Sequence, residues 1–298
     1  MTTKIEWTDE TWNPITGCTK ISEGCRNCYA EKMAKRLAGR VGYPAKNPFA
    51  PGTEHKNAWE KPFGWFKSKS IFTCSMGDLF HDDVPFRLVD KVLAVAALTP
   101  RHTYRILTKR PERMLEYFSD DCDWPDHLGH VAFRDLHFSE EADCQVGNAI
   151  NGVLDEAYNV GWPMRNLQLG VTAENQEQAD KRIPVLLQIP AAVRFVSVEP
   201  MLGPVDLTAH HWGGAMLAWL NWVICGGESG PGARPMHPDW ARSLRDQCVS
   251  AGVPFFFKQW GEWGYQAGGQ GWEKLVRVGK KAAGRLLDGR TWNQYPEV

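Results

Sequence analysis

The sequence has no apolar run long enough to span a membrane, and its first residues carry charges where a signal peptide would be apolar. It also has almost no net charge, because 34 basic residues are balanced by 35 acidic ones. These absences exclude the membrane-spanning and signal-directed classes, and they exclude a global field that attracts nucleic acid. We therefore expect a cytoplasmic protein with no membrane partner, whose 298 residues fold as one large domain or two small ones.

Disulfides are not expected from the eight cysteines, because thiols stay reduced in the cytoplasm. Three of them are closely spaced, as Cys18, Cys25 and Cys28 in a C-x6-C-x2-C pattern. Closely spaced cysteines in a reducing compartment indicate metal binding or catalysis. The other five are scattered and are better explained as small buried side chains: Cys74, Cys122, Cys144, Cys225 and Cys248.

The segment around the three cysteines is suited to bring their sulfurs together. Gly17 and Gly24 allow tight turns, and strong helix formers predict a helix that begins at about Tyr29. A helix N-terminus beside thiolates lowers their pKa. Three thiolate ligands leave one metal position open, which fits a [4Fe–4S] cluster with one free iron. The alternative is a zinc site, since C-x2-C is common to both metals, and its candidate fourth ligands are His55, His81 and Cys74.

Short apolar runs, rich in β-branched and aromatic residues, alternate along the chain with segments of helical periodicity. This alternation predicts a parallel sheet covered on both faces, either an open doubly wound sheet or a barrel. The predicted strands are 70–74, 104–108, 167–172, 193–198, 222–225 and 253–257. The predicted helices are 86–98, 111–118, 175–187 and 238–251, the last of which ends before Gly252.

Two segments interrupt the alternation. Residues 120–165 are acidic in their first half and predict an inserted subdomain that is helical near 147–158. Residues 261–298 are rich in glycine and tryptophan and predict a C-terminal extension. A basic stretch of this extension has a single acid, Asp288, among six basic residues: Lys274, Arg277, Lys280, Lys281, Arg285 and Arg290.

Several blocks of the sequence are similar to a known family. The segment GCTKISEGCRNCYAEKMAKR, together with CSMGDLFHDDVP, ILTKRPERM, RFVSVEPMLGPVDL and PFFFKQWG, resembles the phage protein Gp37/Gp68 family, also called DUF5131. The resemblance extends nearly end to end. That family in turn resembles the radical S-adenosylmethionine superfamily near its spore photoproduct lyase-like members. The usual spacing there is C-x3-C-x2-C, and this chain has three more residues between its first two cysteines.

The resemblance implies an α/β fold, a partial (β/α)6 TIM-like barrel of the radical S-adenosylmethionine type, over residues 1–260. The helical insertion at about 120–165 and the extension at 261–298 would be added to this barrel. Residues 11–15 would form its first strand, directly before the three cysteines. Active sites of such barrels lie at the carboxyl ends of the strands.

The resemblance also implies a [4Fe–4S] cluster on the three cysteines, with S-adenosyl-L-methionine bound across the strand ends. Lys109 and Glu199 are the predicted catalytic side chains, and Glu199 directly follows an apolar strand, where a carboxylate suits a barrel mouth better than a core. Lys109 would pair with the cofactor carboxylate, and Asp78 would accept from its amino group. The predicted cofactor-binding residues are Tyr29, Ser75, Met76, Asp78, Lys109, Thr172, Ser197, Glu199, Gly226, Gly227 and Glu228.

The implied function is that of a radical S-adenosylmethionine enzyme. Such an enzyme cleaves its cofactor reductively to a 5′-deoxyadenosyl radical, with electrons from an external donor. The substrate is open, although the basic extension and the resemblance favour a nucleic acid or a nucleotide. The alternative from a different class is a non-catalytic, phage-associated binding protein stabilised by zinc or by an iron–sulfur cluster.

Overall fold

The computed structural model describes residues 3, 5–119, six positions between 127 and 136, 163–208, 210–211, 214–267 and 273–297. Its strands are β1 (Glu10–Trp12), β2 (Ile15–Thr16), β3 (Thr53–Glu54), β4 (Ser70–Thr73), β5 (Thr103–Thr108), β6 (Leu167–Thr172), β7 (Val193–Val198), β8 (His210–His211), β9 (Gly214–Ala215), β10 (Trp222–Gly226), β11 (Phe255–Gln259), β12 (Trp263–Ala267) and β13 (Glu273–Arg277). Its helices are α1 (Tyr29–Leu37), α2 (Phe86–Leu98), α3 (Pro111–Phe118), α4 (Gln176–Leu186), α5 (Pro238–Ala251) and α6 (Lys280–Ala283). None of the helices in these ranges is long and apolar enough to cross a membrane.

Seven strands form one parallel sheet in the order β1-β4-β5-β6-β7-β10-β11. Parallel neighbours need crossover connections, and helices α2, α3, α4 and α5 supply four of them. The sheet curls into a partial barrel, with one face turned inward and the other covered by helices. The predicted fold class, an α/β partial barrel, is confirmed. Three antiparallel pairs accompany this sheet in the described residues: β2 with β3, β8 with β9, and β12 with β13.

The middle of the barrel interior is apolar. A buried cluster there contains Phe195, Ile224 and Phe256. Gly170 of β6 makes room for this cluster, since a Cβ at that position would lie 2.6 Å from the ring of Phe195. Because alternate residues of a strand face the same side, the residue two positions beyond each inward side chain also faces inward, nearer the carboxyl end.

The opposite end of the barrel is closed around a buried arginine. Arg105 of β5 donates to Gln168 Oε1 at 2.9 Å and to the carbonyl of Trp7. Its guanidinium lies 4.8 Å from the ring centre of Trp222 and 5.6 Å from that of Tyr295. Burial lowers the pKa of Arg105 to about 10, so its charge persists at neutral pH. This end is filled by packed side chains, which leaves the carboxyl-terminal mouth for a functional site.

Two strand predictions are wrong in their boundaries. Residues 11–15 do not form one strand, because β1 ends at Trp12 and, beyond Pro14, β2 pairs with β3 instead. The predicted run at 253–257 becomes β11 over Phe255–Gln259, and Pro254 at its start has no N–H to donate to a ladder. Lys258 therefore lies within the last strand of the sheet and does not follow it.

Most of the predicted insertion, including the helix predicted near 147–158, lies outside the described residues. The division of the chain into a barrel, an insertion and an extension therefore stays a prediction. The described part of the extension returns to the sheet, where the Phe257 N–H donates to the Trp292 carbonyl at 3.0 Å. Trp222 Nε1 also donates to the Gln294 carbonyl at 2.8 Å. These bonds fasten the extension to β10 and β11.

Candidate functional site

The three cysteines lie on a loop over the carboxyl ends of the sheet strands. We call residues 17–28, between β2 and α1, the cysteine loop. Its contacts reach strand ends far along the chain: the Gly24 N–H donates to Glu174, 150 residues away, and Asn27 Nδ2 donates to Glu228, 201 residues away. All three cysteines are partly exposed and free of disulfides. The loop thus occupies the end of the barrel where sites form in parallel barrels.

A first carboxylate–arginine pair holds the start of the cysteine loop. Arg110, two residues after β5, donates from Nη1 to Asp78 Oδ2 at 3.0 Å and to Cys18 Sγ at 3.3 Å. Its Nη2 donates to the carbonyl and the hydroxyl of Thr19 at 3.2 and 2.9 Å. Asp78 also accepts from the Thr108 hydroxyl at 2.7 Å, and both charged side chains are buried. Arg110 therefore fixes both the sulfur of Cys18 and the backbone beside it.

A second pair holds the middle of the loop. Glu174 follows β6, and its Oε2 lies 2.8 Å from Nη1 of Arg182 on α4. Its other oxygen accepts from the Gly24 N–H at 3.2 Å. Burial raises the pKa of Glu174, but the charges of Lys109 and Arg182 outweigh it, and the pKa lies below its usual value. Glu174 is therefore an ionised, buried anchor for the loop.

A third pair holds the end of the loop. Arg234 donates from Nη2 to Glu228 Oε1 at 2.7 Å and from Nε to Oε2 at 2.9 Å, a two-point contact typical of arginine and carboxylate. Glu228 Oε2 also accepts from Asn27 Nδ2 at 3.1 Å. Burial raises the pKa of Glu228, and the bonds from Arg234 and Asn27 bring it below its usual value. The residue before Cys28 is thus tied to the end of β10.

Each sulfur has a different neighbour within hydrogen-bonding distance, and Cys18 Sγ also donates to the Thr19 carbonyl at 3.2 Å. Cys18 accepts from Arg110, as described above. Cys28 caps α1, and its Sγ accepts from the Glu31 N–H at 3.5 Å, which confirms the helix start predicted at Tyr29. Ser22 Oγ lies 3.7 Å from Cys25 Sγ. Donors of this kind stabilise thiolate ligands and orient them.

The pKa values of Cys18 and Cys25 move in opposite directions. Burial and the charge of Asp78 raise the pKa of Cys18 to about 11, although Arg110 opposes them. Burial raises the pKa of Cys25 as well, but the charge of Lys109 and hydrogen bonds from the backbone of Ile21 and Ser22 bring it below its usual value. Lys109 therefore lies close enough to the loop to act on Cys25.

A polar layer lies beneath the loop on the inner face of the barrel. Thr172 of β6 and Ser197 of β7 are both buried there. Glu199, directly after β7, accepts from Lys258 Nζ of β11 at 2.7 Å (Oε1) and 3.0 Å (Oε2). Lys109 directly follows β5, and its N–H donates to Asp78 Oδ2 at 3.4 Å. The predicted catalytic residues Lys109 and Glu199 thus lie at the same mouth as the cysteine loop.

The predicted cofactor contacts after β4 are occupied within the protein. Ser75 Oγ and the Met76 N–H both donate to Asn13 Oδ1, at 3.2 and 2.9 Å. The Met76 carbonyl accepts from the Gly17 N–H at 3.1 Å. Both oxygens of Asp78 accept from protein donors, as described above. These residues therefore build the base of the cysteine loop.

The two glycines at the end of β10, Gly226 and Gly227, permit a close backbone approach. A Cβ on Gly227 would lie 2.0 Å from the Trp260 carbonyl oxygen, and one on Gly226 would lie 3.3 Å from the carboxyl carbon of Glu199. Glycine is thus required at 227 for packing against the end of β11. Tyr29, by contrast, is 67% exposed at the start of α1, beside Cys28.

The three candidate fourth ligands of a zinc site are engaged elsewhere. Cys74 is buried, and burial raises its pKa to about 12. His81 uses both ring nitrogens, with Nε2 2.8 Å from Thr19 Oγ1 and Nδ1 accepting from the Asp83 N–H at 3.0 Å. His55 Nε2 lies 2.8 Å from Thr16 Oγ1. Within the part of the chain that the structure describes, no group of three or more His, Cys, Asp or Glu side chains is arranged to hold a metal ion, and this includes the three cysteines of the loop.

Residues 2–296 match a family described as "Protein of unknown function (DUF5131)". The chain belongs to this family. Among solved structures it is similar to a spore photoproduct lyase variant with bound AdoMet and dinucleoside spore photoproduct, at 11% identity and a TM-score of 0.42, over 93% of this chain and 70% of that one. A second variant of the same lyase matches at 12% identity and a TM-score of 0.39, with the same coverage. These likenesses concern the fold alone, and no curated protein matches the sequence.

Sequence reasoning missed the arginines that hold the cysteine loop of this DUF5131 chain. Arg182 and Arg234 lie eight and six residues beyond the carboxylates that they bind. The one available signal was a carboxylate soon after an apolar strand, and it recurs at Asp78, Glu174 and Glu228. That signal does not distinguish a carboxylate that contacts a ligand from one that positions a loop.

Proposed function

We propose that the chain is a radical S-adenosylmethionine enzyme whose [4Fe–4S] cluster is held by Cys18, Cys25 and Cys28. The observation that carries this proposal is the cysteine loop, which presents three partly exposed sulfurs at the mouth of a partial barrel. Three cysteine ligands leave one iron of such a cluster free for a cofactor. Free thiols are stable in the cytoplasm, the compartment that we propose.

The charges and hydrogen-bond donors around the three sulfurs suit such a cluster. Thiolates and cluster sulfides carry negative charge, and hydrogen bonds to them tune the reduction potential. Arg110 donates to Cys18, the first turn of α1 donates to Cys28, and Lys109 places a positive charge near Cys25. When bound, the cluster would supply one electron, received from an external donor, to break the S–C5′ bond of S-adenosylmethionine, which gives methionine and a 5′-deoxyadenosyl radical.

The chain's own residues bind and orient the cofactor in this proposal. Lys109 would pair with the cofactor carboxylate, and the hydroxyls of Thr172 and Ser197 would line its path across the strand ends. The Glu199–Lys258 pair would face the reacting atoms. Tyr29 borders this site from α1.

The other predicted cofactor-binding residues have an indirect role in the proposal. They position the cysteine loop or allow the backbone to approach the cofactor. Asp78 and Glu228 are positioning residues, because their oxygens are taken up by Arg110 and Arg234. Ser75 and Met76 support the base of the loop. Gly226 and Gly227 allow the end of β10 to pass close to the cofactor and to the backbone of Trp260.

Anaerobic purification tests the proposal against the alternative, a non-catalytic binding protein stabilised by zinc or by a cluster. We expect about four irons per chain and 5′-deoxyadenosine on reduction with S-adenosylmethionine. Alanine at Cys18, Cys25 or Cys28 should abolish the cluster, whereas Cys248→Ala, in the buried core behind β10, should keep it. One tightly bound zinc and no 5′-deoxyadenosine would support the alternative. Full iron content in Cys25→Ala would refute the ligand set.

A further inference from the structure

A small pocket beside the cysteine loop has two cationic side chains in its lining. It lies between the start of α1 and the loop 229–231 that follows β10, and its volume is about 190 Å³. Asn27 of the cysteine loop and Tyr29, Lys32, Met33 and Arg36 of α1 line one side of it. None of the described residues that line this pocket is acidic. Spacing of about one helical turn places Tyr29, Lys32 and Arg36 on one face of α1.

The charges at this pocket are not cancelled by the nearest acids. Glu31, on the same helix, is already bound by Lys20 at 3.0 Å and Lys35 at 2.7 Å. Lys32 Nζ donates to the Pro231 carbonyl at 3.1 Å, which is a neutral acceptor and leaves its charge in place. An ammonium group has three N–H donors, so two remain for a ligand.

The extension brings a further cation to the same loop. Arg277 of β13 donates from Nη2 to the Gly230 carbonyl at 3.1 Å. The carboxylate of Glu262 is shared between the Gly230 N–H, at 2.9 Å, and Arg277, at 3.7 Å. Glu262 offsets the charge of Arg277, so the net positive charge beside residues 229–231 comes from Lys32 and Arg36 of α1.

We propose that this pocket binds a phosphate group of a nucleotide or nucleic-acid substrate, with Tyr29 stacked on the adjoining base. Arginine and lysine are the side chains that contact phosphate, and an exposed aromatic ring stacks on bases without regard to their sequence. Tyr29 directly follows Cys28, so a phosphate held here places the nucleotide beside the barrel mouth. The inference deepens the proposed function, on which it rests, by naming the substrate class.

Fluorescence anisotropy of a labelled single-stranded oligonucleotide with the full chain tests the pocket. We expect binding that weakens as salt rises, because phosphate contacts release counterions. Lys32→Glu and Arg36→Glu should each weaken binding by about tenfold or more. Tyr29→Ala should weaken it by about fivefold or more through lost stacking. Lys35→Glu is the matched control, since it changes the charge of the same helix equally but lies outside the pocket lining.

Competition identifies the source of the phosphate. If millimolar mononucleotide displaces the oligonucleotide, the phosphate that the pocket binds belongs to a free nucleotide. If neither mononucleotide nor inorganic phosphate displaces it, the phosphate belongs to a nucleic-acid strand. If Lys32→Glu and Lys35→Glu weaken oligonucleotide binding equally, or if no oligonucleotide binds at low salt, the proposal of a phosphate site in this pocket is refuted. Iron content and cofactor cleavage of the unaltered chain are measured separately. If the chain takes up iron but binds no oligonucleotide, only the proposed phosphate site is refuted. If the chain binds the oligonucleotide but takes up no iron, the proposed enzyme function is refuted.

Discussion

Glu174 and Arg182 form an ion pair that is almost completely removed from solvent, with side-chain exposures of 0% and 3% and an Oε2–Nη1 distance of 2.8 Å. The second oxygen of Glu174 holds Gly24 in the cysteine loop. Asp78 with Arg110 and Glu228 with Arg234 repeat this arrangement at two other strand ends. In each case an arginine compensates a buried carboxylate, and one partner of the pair contacts the loop: the carboxylate at Glu174 and Glu228, and the arginine at Arg110. The loop is therefore held by charges that the core alone could not tolerate unpaired.

We expect Glu174→Gln to reduce the free energy of unfolding by about 3–5 kcal/mol, because it leaves Arg182 as an uncompensated buried charge. Urea denaturation at pH 7 measures the change. Glu177→Gln, on the exposed first turn of α4, is the control and should stay within about 0.5 kcal/mol of the original chain. In the double variant Glu174→Gln/Arg182→Met the loss of unfolding free energy should be smaller than in Glu174→Gln alone. A larger loss would show that the two side chains are not coupled in this way.

Gly227→Ala should destabilise the chain by about 1–3 kcal/mol, because backbone atoms cannot yield to the new methyl group as a flexible side chain would. The added Cβ would lie 2.0 Å from the Trp260 carbonyl oxygen. Thermal denaturation measures the loss. Gly64→Ala provides the comparison, since a Cβ there meets no atom within 4 Å. Equal stability of the two variants would contradict the close approach between the ends of β10 and β11.

Lys258→Met should leave the iron content unchanged and reduce 5′-deoxyadenosine formation by about tenfold or more. The substitution removes the partner of Glu199, which lies in the polar layer and outside the cysteine loop. Product formed per iron is the measurement, and Lys274→Met on β13 is the control for loss of one positive charge. Loss of iron in Lys258→Met would place this lysine in the cluster site instead.

Stability should fall between pH 7 and pH 5.5 because of buried neutral histidines. Burial lowers the pKa of His102 and of His55, and nearby lysines and Arg101 add to the effect. The unfolded chain, with a histidine pKa of about 6.5, binds protons that the folded chain does not, so acid favours unfolding by up to about 1.4 kcal/mol per pH unit for each histidine. The carboxylates with lowered pKa values, such as Glu174 and Glu228, lose their contribution only at lower pH.

His102→Gln isolates one of these groups. His102 Nε2 donates to the Pro62 carbonyl at 3.0 Å, and a glutamine amide offers a donor of similar reach. The urea midpoint of the variant should therefore depend less steeply on pH over this window than that of the original chain. An unchanged slope would exclude His102 as a source of the pH dependence.

The fold could be predicted from the sequence where local pattern decides it. Strands β6 and β7 and helices α2, α3 and α5 have the predicted boundaries, because apolar periodicity, the proline at the start of α3 and Gly252 in the left-handed conformation each act within one element. The prediction of one first strand over residues 11–15 was wrong, because Pro14 separates two short strands with different partners. The residues around β2 do not reveal its pairing with β3, because β3 lies far along the chain, at Thr53–Glu54.

The site was predictable only in part, for the same reason. The three cysteines lie close together in the sequence, and the residues at the strand ends follow recognisable strands. The partners of Asp78 and Glu228 depend on side-chain packing between separate elements, which no spacing rule encodes. Both carboxylates have the expected place in the fold, at the mouth, but in this structure they bind Arg110 and Arg234 of the protein itself.

The sequence distance between the cysteine loop and its attachments has a consequence for biosynthesis. Asn27 is bonded to Glu228 and to the Gly232 carbonyl, 205 residues further along. At about 5–20 residues per second, a ribosome takes roughly 10–40 seconds to add that length of chain. During this interval the end of the cysteine loop lacks its attachment to the barrel. Under the proposed function, cluster delivery would either follow completion of the chain or depend on a cellular factor that binds the nascent loop.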